Sequence, residues 1–437
     1  MLKYNCPTLV LLVIPSLFAG CEVPTGTASS VTLLTSSGSP SPSPSPTSTS
    51  TVTPSPTPSA VTGFGTKNSI SIPFGQALAI QSPTIAVQSD GKFLYVGGTN
   101  SGGGGDNGSE LEIVRYNSDG TVDTSFGHNG ISTVAIGTNS YLIGVAVQPD
   151  QKIVASGYSY NNDAIVVRFN SDGSVDSSFA PVDAGLGGFM FPTVQADGKI
   201  LVSALNGGIF RFNSNGSLDD VFGGNGVQDG SVHNGTHWAG IYHGAPFALR
   251  PDQKIVVCGN TPFYEGIGSS SFANLVRLNS DGTLDTSFGV SGAIPAPIFG
   301  ASPCSAIVLQ SDGKIVMGGD FWYANTGDPR TGVMGSYYIA RFNPDGSLDS
   351  SFATNGVHSS VFPSVSSTGN MTTLTVLPNG EIFGAGIGGS VLLTSSGLVD
   401  SSYVDSIPGQ HTFAASALTP SGELLVSFNW SVFLVQP

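Results

Sequence analysis

The chain has 437 residues and a formal net charge of −15, with 59 Gly, 28 Pro and only 10% charged residues. An acidic chain without any Lys/Arg cluster repels phosphate, which excludes nucleic-acid binding from the expected functions. Abundant Gly and Pro with few charges favour many short strands joined by tight turns over α/β modules.

The chain opens with MLKYNCPTLVLLVIPSLFAGC. Lys3 supplies a positive start, and residues 9–18 form an apolar run too short to span a bilayer comfortably. Small residues Ala19 and Gly20 then precede Cys21, although Phe18 stands where Leu is usual. The segment resembles a bacterial lipoprotein signal, which implies removal of residues 1–20 and acylation of the Cys21 thiol. A plain secretory signal cleaved near Ala19 is the alternative. Lipid chains on Cys21 would anchor the protein to a membrane, since each buried CH₂ contributes about 0.8 kcal/mol.

Residues 21–62 follow as a linker rich in Ser, Pro and Thr, with SPSPSPSPTSTSTVTPSPTPS at its core. Alternating Ser-Pro and Thr-Pro buries no apolar area and stays extended, reaching on the order of 120 Å at polyproline spacing. No later stretch approaches transmembrane length. Of the four Cys, Cys258 and Cys304 belong to no spaced cluster, and read equally well as a disulfide or as two buried small residues.

From residue 63 the chain repeats itself. One half-motif is an apolar run, a tight turn and a second apolar run, as in VQSDGKFLYVGG from Val87 and LQSDGKIVMGG from Leu309; it occurs in seven copies. The other is a strand leading into an Asp-Gly turn, as in IVRYNSDGTVDTSFG from Ile113, VVRFNSDGSVDSSFA from Val166 and IARFNPDGSLDSSFA from Ile339. A degenerate sixth copy starts at Val391. Successive units are about 40–70 residues apart, the size of a propeller blade, and Asp-Gly turns between β-branched runs signal hairpins. The second unit places its strands near 142–148, 152–156, 164–170 and 181–187.

The chain ends at a third strand, while GFGTKNSISIPF at residue 63 reads like a missing fourth one. The expected fold is therefore all-β: a seven-bladed β-propeller of four-stranded blades over residues 63–437, closed by the N-terminal strand joining the last blade. These motifs resemble the delta-60 repeat, a β-propeller repeat of secreted bacterial proteins. The resemblance spans nearly all of the repeated region, and it implies the fold without an activity.

An Arg recurs eight residues before the last Asp of each turn: Arg115 and Asp123, Arg168 and Asp176, Arg211 and Asp219, Arg277 and Asp285, Arg341 and Asp349. The sixth unit has Leu392 and keeps Asp400. The N-x-D-G-x-x-D spacing invites calcium, but it lacks the first Asp and the closing Glu of a calcium loop. Structural ion pairs are expected, with no metal and no cofactor. Phe126, Phe179, Phe222, Phe288 and Phe352 are expected to plug the spaces between blades.

Binding is expected where the repeat is interrupted, because variable loops on a rigid scaffold carry recognition. The insertion at 228–244 gathers His233, His237, Trp238, Tyr242 and His243; that at 320–338 brings Trp322, Tyr323 and Arg330. Gly235 argues against a helix that would aim two His at one metal. Aromatics beside an Arg suit glycan or protein recognition. The leading expectation is a monomeric, non-enzymatic lipoprotein of the bacterial cell envelope, facing periplasm or exterior, whose propeller face binds a glycan or an envelope protein. The alternatives are a glycan-active hydrolase or lyase with its site in the central funnel, and an architectural protein without ligand.

Overall fold

The computed structural model describes residues 69–71, 84–98, 110–136, 140–158, 164–179, 182–183, 188–204, 207–224, 227–228, 232–233, 238–239, 245–261, 272–294, 304–321, 336–362, 371–405, 413–428 and 431–435. The signal at 1–20 and the linker at 21–62 lie outside them.

The described strands form a seven-bladed β-propeller. Blade 1 is an antiparallel sheet of Ile85–Val87, Phe93–Gly98, Glu110–Tyr116 and Ile131–Ala135, in sequence order from the axis outward. Blade 2 repeats it with Tyr141–Val147, Ile153–Tyr158, Ala164–Phe169 and Val182–Asp183, close to the strands read from sequence. Blades 3, 4 and 5 begin at Phe189–Val194, Phe247–Leu249 and Ala306–Leu309, and each has four strands. Blade 6 comprises Met371–Val376, Ile382–Gly386 and Gly389–Leu393. Blade 7 comprises Phe413–Leu418, Leu424–Phe428 and Ser431–Val435, with Ser69–Ser71 from the other end of the chain as its fourth strand.

That last strand closes the ring. Ser69 pairs with Phe433, Ile70 with Val432 and Ser71 with Ser431. Ile70 is buried among Ile85, Tyr95 and Tyr116 of blade 1 and Leu425 of blade 7.

Blade 6 departs from the four-stranded expectation, with three strands among the described residues. The side chains that follow take the place of an outer strand there: Asp405 accepts the N–H of Ser390 at 3.0 Å, and the Tyr403 hydroxyl bonds the Ser390 hydroxyl at 2.6 Å.

Each middle strand is covered on both faces by neighbouring blades, so its sequence is largely apolar instead of alternating; Ala164–Phe169, apolar but for the clasp residue Arg168, is buried at every position. Outer strands such as Ile131–Ala135 mix buried and exposed positions. Apolar side chains gather in clusters between successive blades. Phe126 lies between blades 1 and 2, Phe179 between 2 and 3, Phe222 between 3 and 4, Phe288 between 4 and 5, and Phe352 between 5 and 6. Cys258 and Cys304, whose pairing the sequence leaves open, form a disulfide across the interface of blades 4 and 5, with Cα atoms 5.8 Å apart.

The recurrent Arg and Asp make a clasp that reaches from blade to blade. In blade 1 the Arg115 Nε donates to Asp123 Oδ2 at 2.7 Å, and Lys92 Nζ donates to the same oxygen at 2.8 Å. The other carboxylate oxygen accepts the N–H and hydroxyl of Ser125. A second guanidinium nitrogen of Arg115 donates to the Ser171 carbonyl, in the turn of blade 2, and the guanidinium lies 4.5 Å from the centre of the Phe126 ring. The set recurs as Arg168–Asp176–Lys152, Arg211–Asp219–Lys199, Arg277–Asp285–Lys254 and Arg341–Asp349–Lys314. In these copies the Arg reaches the carbonyls of Ser214, Ser280, Pro344 and Ser395 in the following blade.

The next blade fits this closely because its turn carries Gly. Gly173 has φ +91°, and a Cβ there would lie 2.7 Å from the Gly127 nitrogen and 3.0 Å from the Phe126 ring. The position therefore excludes side chains on two grounds. The matching turn residue Asp119 uses one carboxylate oxygen to accept the N–H and hydroxyl of Thr121. This is the local bonding of an Asx turn, and among the described residues no cluster of three or more potential metal ligands occurs.

Two turns replace Gly by Gln in this left-handed region, Gln151 at φ 67° and Gln253 at φ 64°. The strain, on the order of 1–2 kcal/mol, is offset by bonds to the preceding blade: Gln253 Oε1 accepts the Ala196 N–H at 3.0 Å, and Gln151 Oε1 accepts from Gln88 at 3.4 Å. Blade 6 lacks the clasp, having Leu392 opposite Phe383, and blade 7 has Leu434 opposite Leu425 at the corresponding register. Those junctions are held by apolar packing and by the closing strand.

Burial works against ionisation of Asp123, yet hydrogen bonds from Lys92 and Ser125 and the charge of Arg115 outweigh it and hold the carboxyl well below the usual range. Asp176, Asp219, Asp285 and Asp349 are lowered in the same way. A carboxyl lowered on folding stabilises the native state above its unfolded pKa, and that stabilisation is lost as pH falls through the folded value. The urea midpoint should therefore drop steadily from about pH 5 toward pH 2, and a flat midpoint over that range would remove the clasp from the stability account. Arg168→Ala should cost about 3–5 kcal/mol by leaving Asp176 buried with the half-buried Lys152 as its one remaining cation beside the Ser178 donors, checked by equilibrium unfolding. Reducing the disulfide should lower stability by about 4 kcal/mol for a loop of this length; an unchanged guanidinium midpoint in reductant would show that it staples nothing.

Candidate functional site

Strand direction sorts the chain between the two faces. Each first strand starts at one face and ends at a D-G-K-type turn on the other, and the clasped N-x-D-G turns share that second face. The connections from second to third strand, and those from blade to blade, leave and re-enter the sheets at the first face. This loop face is where the repeat is interrupted.

The first strands of successive blades neighbour one another around the axis. At the loop face, six blades contribute to a cavity of about 410 Å³, whose lining includes Thr84, Phe191, Phe247, Ser305, Thr373 and Ser416. At the turn face a second cavity of about 640 Å³ is lined by residues including Gln88, Gln148, Gln151, Pro192, Thr193 and Thr419. Neither lining contains an Asp, Glu, His, Lys, Arg or Cys among the described residues.

The hydroxyls of the loop-face mouth are held in place. Thr84 Oγ1 donates to the Ile143 carbonyl at 3.2 Å and accepts the Val145 N–H at 2.8 Å, tying blade 1 to blade 2. Ser416 Oγ lies 2.7 Å from both Thr373 Oγ1 and Thr375 Oγ1, and Thr373 Oγ1 also accepts the Ser416 N–H at 3.1 Å, tying blade 6 to blade 7. The mouth thus combines aromatic surface with oriented hydroxyls and, among the described residues, carries no formal charge.

Of the residues singled out in the insertions, His233 and Trp238 are cross-strand partners in a two-stranded ribbon, Val232–His233 with Trp238–Ala239. Its second strand lies beside Ile255–Thr261 and Phe272–Leu278 of blade 4. His237, Tyr242, His243, Trp322, Tyr323 and Arg330 lie outside the described residues, as does Cys21. The ten Arg and Asp of the turns meet in five pairs, at 2.6–2.8 Å. Sequence reasoning missed the lining of the mouth. Its signal was available in the residues just ahead of each V-Q-x-D-G-K half-motif, which vary from blade to blade where the later positions do not: Thr84 in blade 1, Pro246 in blade 4 and Ser305 in blade 5.

A family model described as a domain of unknown function, the DUF5122 beta-propeller, matches residues 88–126, 148–179, 195–222, 250–288, 310–331 and 333–352. No curated protein matches the sequence. Among solved structures, virginiamycin B lyase from Staphylococcus aureus is 12% identical, with a TM-score of 0.51 over 84% of this chain and 97% of the other. YCF48 bound to D1 peptide is likewise 12% identical, with a TM-score of 0.51 over 84% and 96%. A streptogramin B lyase is 13% identical, with a TM-score of 0.50 over 82% and 96%. At such identities the likeness is one of fold. The chain is a β-propeller repeat protein, similar to the DUF5122 propellers over its first five blades.

Proposed function

We propose that this protein is a non-enzymatic lipoprotein of the bacterial cell envelope, anchored through Cys21, whose loop face binds a glycan or protein ligand. The observation that carries the binding reading is the uncharged, aromatic and hydroxyl-lined mouth, on the same face as the variable insertions. Hydrolysis of a glycan needs a pair of carboxylates flanking the scissile bond, and none lines either end of the channel among the described residues. The similar solved propellers include lyases and a protein bound to a peptide, so the shared fold favours neither catalysis nor recognition by itself. The disulfide between blades 4 and 5 supports export, because such bonds persist in oxidising compartments.

Two measurements test the reading. Mass analysis of the protein from membranes should find Cys21 as an acylated N-terminus, and Cys21→Ser should release the chain into the soluble fraction; an unmodified Cys21 ends the anchor. A screen of glycans and envelope proteins should find a ligand whose affinity drops about tenfold or more in Trp238→Ala with Trp322→Ala, the loss expected of aromatic anchors. A ligand insensitive to both changes would move the site off the loop face.

A further inference from the structure

The distribution of charge says what kind of ligand the mouth accepts. Lys92, Lys152, Lys199, Lys254 and Lys314, with the five clasp Arg, are tied to carboxylates on the turn face. Arg250 lies there too, 3.3 Å from Asp252 and 3.4 Å from the Gly313 carbonyl of the neighbouring blade. In the whole sequence only Lys3, Lys67 and Arg330 stand elsewhere. The connections of the loop face carry Asp106, Asp163, Asp229, Glu265 and Asp328 against Arg330 alone. The repeat has drawn the cations to one side of the ring, so the side with the mouth carries an anionic sequence.

An anion approaching that face meets connections whose sequence is acidic, which disfavours its approach. Inside, a carboxylate or sulfate would lose its water without gaining a cationic partner, and this is costly. A neutral sugar meets the opposite conditions. The half-buried Phe191 offers aromatic surface for the apolar face of a ring, with the buried Phe247 and Thr373 behind it, and Thr84, Ser305 and Ser416 supply hydroxyls, two of them fixed in position beforehand. Preorganised polar groups of this kind reduce the ordering cost of binding. A cavity near 410 Å³ falls within the range of small-ligand sites.

We propose that the loop-face mouth of the channel is a subsite for an uncharged, hydroxyl-bearing ring, a neutral glycan unit, and that it excludes acidic polysaccharides. This rests on the loop-face binding reading above, and it selects the glycan over the protein.

The test is calorimetric titration of the full-length chain in detergent with neutral gluco- and chito-oligosaccharides, beside oligogalacturonate of equal length. Binding of a neutral oligosaccharide that barely changes with salt and weakens about tenfold in Phe191→Ala and in Ser305→Asp is the expected result. A melting curve for each variant separates lost binding from lost folding, with Phe191→Leu as the conservative control. Oligogalacturonate binding as tightly as the neutral series would overturn the proposal. So would neutral binding unmoved by either variant, or the absence of any neutral binding. A protein or acidic polymer held by the parent chain and released by Trp238→Ala with Trp322→Ala would overturn the subsite while keeping the loop-face reading. A chain that binds nothing in either screen would sink both.

Discussion

The arrangement of this propeller depends on one guanidinium held between two blades. In each of five blades an Arg neutralises the Asp of its own turn, stacks on the Phe that follows and donates to a backbone carbonyl of the next blade. Sheets packed face to face by apolar contact alone can slide, because hydrophobic attraction has no direction. A buried charge fixed at both ends cannot. The clasp sets the register between blades, and with the turn face so occupied, variation in the sequence falls on the other face.

The same arrangement explains why so much of the fold is legible in the sequence. A repeated Arg–Asp spacing, a Gly that permits close approach and a recurrent Phe are three signs of one contact, and each recurs because the contact recurs. Blade count, turn chemistry and ring closure follow from those repeats together with the unpaired strands at the two ends of the chain. The outer edge of blade 6 was not legible, because Tyr403 and Asp405 cap it through side chains and so leave no strand-like pattern. The Cys258–Cys304 bond was equally hidden, since two separated Cys acquire meaning only when the ring brings blades 4 and 5 together.

The composition of the candidate mouth was not legible. Aromatic and His-rich insertions draw attention by standing out from the repeat, whereas Thr84, Phe191 and Ser305 are ordinary residues that matter because several blades present them to one axis. A site assembled by rotational symmetry takes one or two residues from each unit, so no local motif records it. Its chemistry emerges only in the sum, as a neutral lining within a strongly acidic protein.

The closing strand also constrains when the protein can fold. Ile70 belongs to the first part of the propeller to be made, and its partner Val432 to the last. A ring closed in this way has no complete state until Val432 has been made, so the growing chain carries an unsealed seam up to that point. The contact that completes the structure is the one that cannot form too early.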